Sequence, residues 1–219
     1  MHFQPNSRGL SALFLCLALS AARAQPESDV SLNAQLLAGA RQGDTALVDR
    51  ALAAGAAPNS RNRLGKTVLL IAAEKGDAAL AGKMLRADAD PNIAAIDGVT
   101  PLMAASYNGD LPLVRYLLAA GARTDATDRL HKPAIVYAAG QGHAAVVEVL
   151  LNTGIDIDAA YEHGLTVLMW AAGQGHADLV KVLLARGAKV DARDDRGLTA
   201  REIARNAGQG AVVALLATP

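Results

Sequence analysis

The sequence predicts an all-α solenoid, a stack of helix-turn-helix units joined by short hairpin-like loops, on three observations. First, Gly43, Gly76, Gly109, Gly142, Gly175 and Gly208 are each 33 residues apart. Thr67, Thr100, Pro133, Thr166 and Thr199 keep that spacing, as do Ala72, Ala105, Ala138, Ala171 and Ala204, and Asn59, Asn92, Asp125, Asp158 and Asp191. A fixed period marks units too small to bury a core alone, which gain stability by stacking. Second, 52% of the residues are hydrophobic but only 3% aromatic. Ala, Leu and Val must fill the interior, which suits thin layers of small helices. Third, the apolar residues inside a period follow helical spacing, as with Leu113, Val114, Leu117 and Leu118.

The elements follow in order. Arg8 gives a positive start, Leu10 to Ser20 is an apolar run, and Ala22-Arg23-Ala24 precedes Gln25-Pro26-Glu27. That is the three-part layout of a secretory signal peptide over residues 1–24, with a run too short to span a bilayer. Leu15 before Cys16 argues against a lipoprotein signal. Cleavage after Ala24 would remove the only cysteine and leave a slightly acidic chain with no thiol, as suits an oxidising compartment. Residues 25–34 are expected as a linker and 35–219 as the repeat domain. Its units are a capping repeat (35–60), four full repeats (61–93, 94–126, 127–159, 160–192) and a second capping repeat (193–219).

Within a unit, Thr100 is placed to cap a helix and Pro101 to open it. Gly109 ends that helix with a positive φ, and a second helix runs from about Leu111 to Ala120. A polar, extended stretch then leads to the next unit as a protruding loop.

These units resemble ankyrin repeats. The resemblance rests on Gly98-Val99-Thr100-Pro101-Leu102-Met103-Ala104-Ala105, and on Gly164 through Ala172 followed by Gly175-His176, Leu179-Val180, Leu183-Leu184 and Gly187-Ala188. It covers about Leu36 to Ala217 and implies a recognition scaffold for a protein partner. The chain departs from the pattern where Leu70, Met103, Val136 and Met169 replace the family histidine. Pro133 replaces the capping Thr, and Asp88 stands where Gly121, Gly154 and Gly187 sit. The last unit loses the pattern at Arg201-Glu202.

No residue set supports catalysis. Gly140-x-Gly142-x-x-Ala145 mimics a dinucleotide fingerprint, but a helix precedes it and its relatives recur one period apart, so it reads as a turn. His143 and His176 belong to the helix-helix turn, and His131 and His163 lie on adjacent loops. Two imidazoles without cysteine are too few for a metal site, so no metal or cofactor is expected. Asp194-Asp195 and the Asp88/Asp90 pair read as solvated turn residues. The balance of 21 basic and 21 acidic residues leaves no basic footprint for nucleic acid.

The aromatic residues outside the leader are Tyr107, Tyr116, Tyr137, Tyr161 and Trp170. The resemblance places first-helix faces and loops on a concave recognition surface, and aromatic anchors flanked by polar groups suit a binding hot spot. The expected partner-binding set is Tyr107, Asn108, Arg129, Lys132, Tyr137, Gln141, Tyr161, Glu162, His163, Trp170 and Gln174. Tyr137 and Trp170 also fit a second reading, as filler between adjacent helices.

The expected function is a monomeric periplasmic or secreted adaptor that binds a protein, with no membrane span after cleavage. The resemblance extends to exported bacterial ankyrin proteins linked to peroxide defence. The alternative is an exported effector or inhibitor that blocks a target enzyme one-to-one.

Overall fold

The computed structural model describes residues 27–217, so the expected signal peptide lies outside the described residues. Among the described residues twelve α-helices pair into six units: α1 (Glu27–Gln42) with α2 (Thr45–Ala53), α3 (Val68–Lys75) with α4 (Ala78–Arg86), and α5 (Pro101–Asn108) with α6 (Leu111–Ala119). They continue as α7 (Ala134–Gly140) with α8 (Ala144–Leu151), α9 (Val167–Gln174) with α10 (Ala177–Ala185), and α11 (Ala200–Asn206) with α12 (Gly210–Leu215). A short 3-10 turn at Glu162–Gly164 interrupts the loop before α9. Helix α1 begins at Glu27, so most of the stretch expected as a linker is helical instead.

The first helices of successive units pack on one another from α1 through α11, and α4, α6, α8, α10 and α12 form a second row behind them. Alanines explain the closeness of the first row. Ala72, Ala105, Ala138, Ala171 and Ala204 are wholly buried, so one helix can lie almost backbone-to-backbone on the next. The second row is more loosely joined. Closer packing along one row than along the other is what curves a solenoid, and here it assigns the first helices and loops to the concave side. Leu80, Leu113, Val147, Leu150, Leu179 and Leu183 fill the space between the rows.

Local rules set the helix boundaries. Thr67, Thr100, Thr166 and Thr199 each accept a backbone N–H three residues on. Where the family histidine is replaced by Met103 and Met169, the thioether sulfur accepts the N–H of Thr100 and Thr166 at 3.4 Å, a weak closure of a capping box. Glu202 does better. Its carboxylate takes the Thr199 N–H at 2.8 Å, and the two hydrogen bonds to Thr199 hold its pKa below the usual carboxylate range. The apparent loss of pattern in the last unit is therefore a complete Thr-x-x-Glu capping box. Pro133 offers no side-chain bond to α7.

Each unit is also tied to its predecessor. Lys75 Nζ donates to the carbonyl of Arg41, Asn108 Nδ2 to Glu74, His143 Nε2 to Tyr107 and His176 Nε2 to Gly140. The four acceptors fall in one 33-residue column at the end of the first helix. The donors change column halfway. In the early units Asp44, Asp77 and Asp110 cap their own second helices, and a residue at the preceding helix end reaches back. At His143 and His176 the N-cap residue itself reaches back. A carbonyl partner requires that each imidazole carry its proton on Nε2.

Candidate functional site: the concave aromatic face

The column of residues 104, 137 and 170 sits on the concave face of the first helices. Ala104 there is small, whereas Tyr137 and Trp170 project and are half-buried. Tyr137 is held at both ends. Its hydroxyl donates to Asp128 Oδ2 at 2.6 Å, and its ring meets Tyr107 edge-to-face at 6.3 Å between centroids. Burial, then the bond to Asp128, then the charges of Asp128 and Asp97 push the phenol well above its usual range. Tyr107 is 50% exposed. Below the pair opens a groove of about 310 Å³ lined by Glu74, Val99, Ala104, Tyr107, Asn108 and Tyr137.

One unit along, Lys132 Nζ stands 4.9 Å from the Trp170 ring centroid, within cation–π range. It also lies 3.9 Å from Glu162, which is in turn 3.6 Å from His163. The Trp170 indole N–H is buried with no partner. Trp170 therefore packs against the core and carries a cation of its own chain on its ring.

Two residues of the expected set are placed apart from the aromatic face or tied to structure, and one expected turn residue needs correction. Tyr161 does not join the other aromatics. It lines a separate cavity of about 240 Å³ with Thr124, Asp125, Thr127, Pro133 and Ile155, and burial first, then Asp156, raises its phenol pKa. Asn108 is half committed to structure, because its amide caps the carbonyls of Ala73 and Glu74. Asp194 is no solvated turn residue, being 6% exposed. Burial alone would raise its pKa, but the N–H groups of Leu198 and Arg196 and the Arg196 guanidinium outweigh that and hold it below the usual range.

The remaining expected residues stay at the surface. Arg129, Gln141 and Gln174 are exposed, and the exposed His131 and His163 both take a left-handed backbone, with φ of 56° and 59°. Among the described residues no three His, Cys, Asp or Glu side chains converge on a metal position. No helix among them is long and apolar enough to cross a membrane. Tyr116 lies on α6, with its ring against Gly82 of α4, away from the concave row.

Sequence reasoning missed Glu74, Val99, Ala104 and Asp128. A signal existed for Asp128. Asn62, Asp128 and Asp194 share a column in every second unit, and each accepts two loop N–H groups through one side-chain oxygen. Short polar side chains that bond the backbone two residues on are a known turn device.

No curated protein matches this chain. A family model of ankyrin repeats, in three copies, matches residues 36–128 and again 124–194, which is most of the sequence. Taken with the unbroken period and the two-row helix stack, that match shows that the chain belongs to the ankyrin-repeat family.

Proposed function

We propose that this chain is an exported adaptor that holds a protein partner against its concave face, with Tyr107, Tyr137 and the Lys132–Trp170 pair as anchors. Ankyrin repeats are protein-interaction scaffolds, and the finer reading rests mainly on Tyr107. Its ring is half exposed beside an open groove, although core packing asks nothing of it. Rigid aromatic surface held in place by Asp128 loses little entropy on binding. Export is supported by the leader layout and by a thiol-free remainder. A part in peroxide defence rests on the family resemblance alone.

The test is photo-crosslinking in the cell that naturally makes the protein. Benzoylphenylalanine at position 107 should give one discrete adduct, lost when Tyr137→Ala and Trp170→Ala are added with the helical circular dichroism unchanged. The same probe at Tyr116 should give none. Equal capture at both positions would move the partner site elsewhere. If the partner is an enzyme, unchanged or improved activity marks an adaptor, and loss of activity marks the inhibitor alternative.

A further inference from the structure

The groove at Tyr107 and Tyr137 lacks something that its neighbour possesses. Trp170 is covered by Lys132, which comes from the loop one unit back. One period earlier the same two positions hold Tyr137 and Val99. Val99 lines the groove wall but brings no charge, so the face of Tyr137 lacks the cation that stands over Trp170.

The charges around the groove point the same way. Glu74 is on its wall, and the carboxylates of Asp97 and Asp128 both act on the Tyr137 hydroxyl. Among the described residues, the one cation paired with any of these three is Lys66, which bonds Glu74 at 2.7 Å. Arg129 joins Asp97 through its main-chain N–H, and its exposed side chain forms no ion pair among the described residues. Lys132 is turned away toward Glu162 and Trp170. Carboxylates thus outnumber committed cations. An acidic segment would be repelled here, and an apolar one would strip water from the carboxylates without replacing it.

Resting on the reading of this face as the partner surface, we propose that the groove receives an arginine side chain of the protein partner. The methylene stem lies along Val99 and Ala104, and the guanidinium lies against the tyrosine rings beside Asp97 and Glu74. Apolar walls suit the stem, and a planar, weakly hydrated head suits aromatic contact better than an ammonium does. The arginine supplies from outside the cation that Lys132 supplies internally one unit further on.

The test uses the full chain and the probe acetyl-Gly-Arg-Gly-amide, with the citrulline peptide as its neutral match, read by NMR of labelled tyrosine rings. The arginine peptide should shift Tyr107 and Tyr137 saturably, and the citrulline peptide should bind roughly fivefold more weakly. Asp97→Asn should weaken binding, with Asn still able to accept the Val99 N–H that Asp97 now accepts. Val99→Lys should abolish it by filling the groove with an internal cation. That column already carries Lys66 and Lys132, so the variant should melt like the parent. Equal binding of the two peptides, equal shifts at Tyr116 and Tyr161, no shift at all, or undiminished binding by Val99→Lys would each overturn the proposal. A discrete crosslink from position 107 alongside any of those results would leave the adaptor reading standing and this one refuted.

Discussion

The Tyr137 hydroxyl ties the folding of a loop to the face where a partner is proposed to bind. It supplies a donor to Asp128, a carboxylate only 8% exposed that also organises the loop by accepting the N–H groups of Leu130 and Lys132. Tyr137→Phe should therefore cost about 1–2 kcal/mol in urea unfolding, since a hydrogen bond to a charged group is lost and the acceptor stays buried. The same bond sets a pH dependence. A phenol whose pKa is raised by folding contributes stability that is complete below its unfolded value, near 10, and is lost as pH rises toward the folded one. Alkaline titration should find Tyr137 among the last tyrosines to ionise, and Tyr137→Phe should flatten the alkaline loss of stability. Little of this was legible beforehand. Asp128 and Tyr137 are nine residues apart, a spacing with no local meaning until the loop folds back over its own helix.

At the scale of single elements the sequence was more readable, because caps act over three or four residues. Thr100 and Pro101 marked the start of α5 correctly, and Gly109 its end with φ of 69°. The fourth unit tests the balance. Pro133 gives α7 no side-chain cap, which should cost about 1 kcal/mol, yet a proline in a compatible conformation restrains the unfolded chain by about 0.4–1 kcal/mol. Its φ of −80° and ψ of 172° nearly match Thr67, so the two effects oppose each other at one site. Pro133→Thr should change stability by less than about 0.5 kcal/mol, whereas Thr100→Ala should cost about 1 kcal/mol, both read from denaturant midpoints. The back-reaching donors were harder to foresee. Lys75 and Asn108 share one column and His143 and His176 another, with three residue types among the four, and only their acceptors align throughout. Periodicity shows what repeats, and the side chains that change places from unit to unit fall between its columns.

Across the whole molecule the ties between loops are nearly uniform, with one gap. Asn59, Asn92 and Asp158 each accept a backbone N–H from the next unit at 2.8 Å, from Asp90, Arg123 and Lys189. Loop backbones are joined again by Ile96 to Leu64, Arg129 to Asp97 and Asp195 to His163. Between the third and fourth loops both ties are missing. Asp125 is diverted to Arg123 in its own unit, a pairing that lowers the Asp125 pKa, and the 3-10 turn at Glu162 takes the place of the backbone bond. The cavity beside Tyr161 opens at this junction, and on the loop side Lys132 bridges it through Glu162 and Trp170. Native-state hydrogen exchange should show the amides of Asp156 and Glu162 exchanging fast while those of Arg123, Lys189, Ile96, Arg129 and Asp195 are protected. Arg123→Ala should release Asp125 and protect Asp156. Uniform protection along the stack would show that the seam is as firm as the rest.

The column of acceptors at Arg41, Glu74, Tyr107 and Gly140 has a consequence for how such a chain changes length. Each acceptor is a main-chain carbonyl, which every residue type supplies, so a back-reaching donor needs no particular side chain in the unit before it. A gain or loss of 33 residues by unequal recombination would keep this tie intact at the new joint. These back-reaching bonds are blind to ancestry, and those that differ from unit to unit, around Tyr137 and Trp170, cannot be copied without copying the residues themselves.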